Sequence, residues 1–173
     1  ARLGRWWRRI DASAVYLADL SSLSRHGMRW LAQVLVGRPG PSQAASMLDN
    51  TPLERLLRRA LAFDRLDDRI RDGRLVALAV NATSYKTGHA VTHYQGATTV
   101  QPWRRLRREG RATRLGVEHL MASAAIPFVF PAVRVGQDWF MDGSVRQLTP
   151  LAPALRLGAR RVLILPVGQF NGQ

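Results

Sequence analysis

Two short and almost wholly apolar runs constrain the fold of this chain most: Arg74-Leu75-Val76-Ala77-Leu78-Ala79-Val80 and Val162-Leu163-Ile164-Leu165-Pro166-Val167. Each is too brief for a globular helix and lacks the polar alternation of a strand with one wet face. Each therefore predicts a strand covered on both faces, as in an α/β sheet. Around them lie segments with helical spacing. Leu3, Trp6, Trp7 and Ile10 suit a helix tail, and Leu23, Met28, Leu31, Leu35 and Val36 a second helix that the loop Gly37-Arg38-Pro39-Gly40-Pro41 ends. Asn50-Thr51-Pro52 supplies a capping residue and an early proline for a third helix that carries Leu53, Leu56, Leu57 and Leu61 to about Phe63.

Downstream, Ser84-Tyr85-Lys86-Thr87-Gly88 predicts a turn, and Ala90 to Gln95 a partly exposed edge strand completing a hairpin. Leu115 to Ala125 reads as a helix rich in small residues that Pro127 ends. Val133–Val135 and Trp139–Met141 form a predicted hairpin around Gly136 that leads to Asp142. Leu151–Leu157 is a short helix stopped by Gly158, and the strand after it closes a parallel sheet. With 173 residues and 46% apolar content, 1–173 suits one domain with one core. Because the chain starts at Ala1 and ends soon after a strand-like run, both ends are expected to be cuts within a longer protein.

The formal charge of +14 comes from 25 arginines and one lysine, Lys86, against 12 acids. Such a balance favours anionic partners, yet the arginine skew, with abundant Ala, Gly, Leu and Pro, also matches a GC-rich bacterial coding sequence. Six arginines crowd the eleven positions Arg104 to Arg114. Within that segment only Trp103 could stack on a base, so a solvated helix or loop face is the plainer reading than a nucleic-acid site, and contact with anionic lipid head groups stays open. Leu120 to Val133, the longest uncharged stretch, contains Pro127 and Pro131 and is shorter than the roughly 20 residues a transmembrane helix needs. No cleavable leader is visible. The compartment is left open between cytoplasm and a peripheral membrane position.

With no cysteine there is neither a disulfide framework nor a thiolate nucleophile. His26, His89, His93 and His119 show no metal-ligand spacing, and no phosphate-binding glycine loop is present, so no metal and no cofactor are expected. There is no GxSxG elbow either, and no histidine follows Asp142, which excludes a Ser-Asp-His triad built on that acid. Asp142 stands out because Trp139-Phe140-Met141-Asp142-Gly143-Ser144 places a carboxylate at a strand end, followed by a glycine that lets the backbone turn sharply. Alone, Asp-Gly is also a common turn.

Its surroundings add to this. Ala122-Ser123-Ala124-Ala125-Ile126-Pro127, Phe130-Pro131-Ala132-Val133, the Asp142 run, Pro150 and Leu157-Gly158-Ala159-Arg160-Arg161-Val162-Leu163-Ile164, in that order, resemble the carboxyl-terminal half of the patatin-like phospholipase family. Ala79-Val80-Asn81-Ala82-Thr83 with Thr87-Gly88 looks like the family's central strand and turn, more loosely. The resemblance implies a three-layer α/β/α domain, amino-terminally incomplete here. It also implies a serine-dependent lipid acyl hydrolase with Asp142 as the general base of a Ser-Asp dyad and a lipid or phospholipid as substrate. Family members follow the acid with Gly and then Gly or Ala, so Ser144 departs from the pattern. The family's oxyanion loop and GxSxG serine have no counterpart in this sequence. The expectation is a fragment whose parent is the enzyme and which is inactive alone. The competing readings are a basic nucleic-acid-binding module and a non-catalytic interaction module.

Overall fold

The computed structural model describes residues 14–16, 46, 48–147 and 151–165. The helices expected over 1–11 and 22–36, the loop 37–41, Pro150 and the end of the last apolar run at 166–167 lie outside the described residues. The architecture is α/β, a mixed six-stranded sheet with helices. In chain order the elements are α1 (Thr51–Ala60), a 3-10 turn (Phe63–Arg65), α2 (Leu66–Arg71), β1 (Ala77–Ser84), β2 (Ala90–Gly96), β3 (Trp103–Arg105) and β4 (Arg108–Ala112). There follow α3 (Val117–Ser123), β5 (Val133–Val135), β6 (Asp138–Asp142), a 3-10 turn (Gly143–Val145) and α4 (Leu151–Arg156).

Across the sheet the strands run β3-β4-β2-β1-β6-β5. Pairing is antiparallel except between β2 and β4. The hairpins the sequence predicts for β1–β2 and β5–β6 are present, whereas the parallel closure expected from a strand after α4 is not, since Val162 to Leu165 form no strand. Five residues join β1 to β2 and two join β5 to β6, enough for a hairpin but not for the crossover a parallel pair requires. Gly88, at φ +64°, closes the first turn by donating its N–H to the Ser84 carbonyl at 2.8 Å, and Gly136, at φ +62°, closes the second. The parallel pair β2·β4 is reached by a longer excursion through β3.

Three further expectations are corrected. β1 begins three residues later than the apolar run and continues through Asn81, Thr83 and Ser84, whose polar side chains the sheet accommodates. Val76 and Leu78 stay exposed, so the run is not covered on both faces. β2 is not an edge strand: β1 and β4 flank it, and Ala90 to Gln95 are buried. The last apolar run forms no strand over Val162 to Leu165, where Leu163 and Leu165 are 84% and 79% exposed.

The third helix is as expected, but its cap is one residue earlier. Asn50 makes no capping bond, whereas Asp49 Oδ1 accepts from the Thr51 N–H at 2.8 Å. On one face of the sheet Ala82, Val91 and Phe140 pack with Ala122 of α3, while Val80 joins Leu66 and Leu115 in a second cluster. On the other face Trp103 lies over Gly110 and stacks on Tyr94, ring centroids 5.3 Å apart and 16° from parallel. Such a pair adds about 1 kcal/mol beyond burial.

Candidate active site around Asp142

β6 ends at Asp142, in register with Ala82 inside β1. Three constraints fix it there. Its N–H donates to the Ala125 carbonyl at 2.8 Å, the β1 pairing holds its strand, and its carboxylate Oδ1 accepts from the Ser144 N–H at 2.7 Å, which starts the 3-10 turn. Among the described residues Oδ2 accepts no hydrogen bond and no cation pairs with the carboxylate. The side chain is half-buried. A fixed, unpaired carboxylate at a strand end can accept a proton from a hydroxyl placed against it.

Gly143 is required by proximity. A Cβ there would stand 2.5 Å from the Asn81 carbonyl oxygen and 2.8 Å from its carbon. The turn thus hugs the β1 backbone, which keeps Asp142 close to the strand edge. Beside it lies an open cleft of about 400 Å³, lined by Asn81, Leu120, Ser123, Gly143, Ser144 and Gln147 among others. Because β6 pairs with β1 only from Ala82 to Ser84, residues 77–81 of β1 have no described neighbour on that side. The cleft sits along this open edge.

Beneath the site two histidines pack edge to face. His93 lies 5.0 Å from His119 and 4.9 Å from Phe140, ring centroid to ring centroid. Burial lowers the His93 pKa from 6.5 to about 4, with the His119 and Arg111 charges pushing the same way and Asp138 opposing. Burial lowers His119 as well, against the pull of Glu118. His119 Nδ1 accepts from the Gly116 N–H at 3.0 Å, capping α3 from its first turn. That bond needs a bare Nδ1, so the 3.2 Å approach to Glu118 is not an ion pair while the ring is neutral. These histidines build the core under β6 and do not touch Asp142. No three His, Asp or Glu residues gather as a metal site among the described residues.

The six-arginine segment is a β-hairpin, not a helix or irregular loop. Arg111 turns inward, donating from Nη2 to Glu109 at 2.6 Å and from Nη1 to Asp138 at 3.0 Å, with its guanidinium over the Phe140 ring. The other five arginines are exposed. Sequence reasoning gave no role to Asn81 of β1, to Arg146 and Gln147 just after the Asp142 turn, or to Arg156 of α4.

A family model for patatin-like phospholipase matches residues 4–155, across the sheet, the Asp142 turn and nearly all of α4. The chain belongs to the patatin-like phospholipase family. Its family is thus one of lipid acyl hydrolases. No curated protein and no solved structure matches this patatin-like chain. Among its described residues no helix is long and apolar enough to cross a membrane.

Proposed function

We propose that Asp142 is the general base of a Ser-Asp dyad that hydrolyses acyl esters of phospholipids or related lipids. The observation that carries this reading is the carboxylate itself: one oxygen is tied to the Ser144 N–H at 2.7 Å and the other is unengaged among the described residues, in a half-buried position beside an open cleft. The fixed oxygen sets the orientation and Oδ2 takes the proton. As the serine Oγ–H bond breaks, Oγ attacks the ester carbonyl, and backbone N–H donors hold the oxyanion. The proton on Asp142 then passes to the leaving alcohol, and water repeats the sequence on the acyl-enzyme.

The nucleophile belongs, on this reading, to polypeptide bearing a Gly-x-Ser-x-Gly elbow, which the 173 residues do not contain. The edge of β1 over 77–81, which no other described strand pairs, supports this, since a strand laid there would bring its end to Asp142. The 173-residue chain alone is then inactive, and its partners are lipid and an anionic membrane surface. A nucleic-acid role is less well supported: Trp103, the aromatic of the arginine segment, already stacks on Tyr94.

A fluorophosphonate ester, which reacts only with an activated serine, tests the dyad. The product of the full reading frame is expected to be labelled, with labelling lost in Asp142→Asn, while the 173-residue chain stays unlabelled. Equal labelling of the Asn variant would overturn the assignment.

A further inference from the structure

On the sheet face that carries Tyr94 and Trp103, a cleft of about 780 Å³ opens between the β3–β4 hairpin and α4. Five arginines line it: Arg105, Arg107 and Arg108 from the hairpin, Arg146 from just after the Asp142 turn, and Arg156 from α4. Among the described residues no acidic side chain lines the cleft and none of the five arginines is paired with a carboxylate. Converging like charges repel one another unless an anion sits between them. Guanidinium groups suit phosphate oxygens best, through paired N–H donors.

Two further observations say what the anion is attached to. Gln147, 8% exposed, lines this cleft and also the one beside Asp142, and its buried Nε2 has no hydrogen-bond partner among the described residues. A buried amide donor without an acceptor is costly, and a phosphate oxygen would supply one. The tip of the hairpin places Leu106 between Arg105 and Arg107 with 89% of its surface exposed, at φ +52°, a region leucine seldom occupies. An apolar tip ringed by cations fits a lipid surface, where the leucine enters the acyl boundary as the arginines meet head groups. The two clefts also meet through a hydrogen bond from Thr92 Oγ1 to Asn81 Oδ1 at 2.6 Å.

We propose that the arginine cleft is a phosphate-binding site for an anionic lipid head group, with Leu106 as its membrane anchor. It holds the head group in the cleft that meets the one beside Asp142 at Gln147, and it selects anionic over zwitterionic head groups. The proposal rests on the lipid-directed reading above, but it is tested by binding alone, so it stands or falls independently of the dyad.

Sedimentation with phosphatidylcholine vesicles, with and without phosphatidylglycerol, reads it in the 173-residue chain. Binding is expected only with phosphatidylglycerol. Arg105→Gln, Arg146→Gln and Arg156→Gln together should weaken it about 100-fold, from roughly fivefold per cation at an anionic surface. A control that removes the same number of charges elsewhere, Arg59→Gln, Arg74→Gln and Arg114→Gln, should weaken it less than about threefold if the site and not the summed charge governs binding. Leu106→Asn should weaken vesicle binding while leaving binding of inorganic pyrophosphate unchanged. Equal loss in both triple variants would show that net charge alone is at work and would overturn the site. Pyrophosphate binding without vesicle binding would overturn the lipid head group as its ligand. Should the cleft variant lose its circular dichroism signature, displacement of the unaltered chain from vesicles by pyrophosphate decides instead: displacement supports the site, its absence overturns it.

Discussion

At Gly143 a single hydrogen in place of a side chain lets the turn after β6 lie against the Asn81 backbone, and a methyl group would stand 2.5 Å from that carbonyl oxygen. Backbone cannot swing aside as a flexible side chain does. Gly143→Ala is therefore expected to destabilise the fold by about 1–3 kcal/mol and to push Asp142 from the strand edge, with a lowered urea midpoint as the readout. The buried His93 sets a pH dependence of definite sign. Its folded pKa of about 4 lies below the usual 6.5, so the unfolded chain takes up the proton first. The stability it contributes is full above pH 6.5 and is lost as the pH falls from 6.5 towards 4, on the order of 3 kcal/mol in all. His119 shifts the same way and steepens the loss. Urea unfolding at pH 7.5, 6, 5 and 4 should show this fall, and His93→Gln should flatten it; an unchanged slope would remove His93 as its source. Asp142 was legible in the residues because an acid, a strand end and a turn-forming glycine are all local. Asn81 was not, since its role comes from a contact between β1 and a turn sixty residues away in sequence.

Elements show where local reading gives out. The β3–β4 hairpin was hidden by its charge: six arginines suggest a solvated surface, and five are exposed, but Arg111 serves the interior. Removing it leaves Glu109 and Asp138, with side chains only 13% and 23% exposed, without their shared cation. Arg111→Ala is expected to cost about 1–3 kcal/mol, whereas Arg104→Ala stays within about 0.5 kcal/mol. Thermal unfolding of the two variants checks the contrast, and equal effects would contradict the inward role of Arg111. The hairpins of β1–β2 and β5–β6 were legible because turn signals and short spacing define them. The central place of β2 was not, because the neighbour that buries it, β4, arrives from beyond the arginine segment.

For the molecule as a whole, ordered motifs from 122 to 164 identified the family before any coordinates, and the α/β architecture followed from alternating helical and strand-like segments. The direction of the β1·β6 and β2·β4 pairs did not follow, because it depends on long connections that apolar runs alone do not reveal. The arginine cleft was equally out of reach, since its arginines come from three separate stretches of chain. Exposed Leu78 and the edge of β1 that no described strand pairs, beside the Asp142 cleft, belong to the same scale: on the proposed reading they are where the strand bearing the nucleophile lies. Lipid-ester hydrolysis by the product of the full reading frame, compared with its Asp142→Asn variant and with the 173-residue chain, tests that account most directly. The account predicts turnover in the full product, a loss of roughly 10²–10⁴-fold in the Asn variant, and none in the 173 residues alone. Turnover by the 173-residue chain, or a full product indifferent to Asp142→Asn, would contradict it.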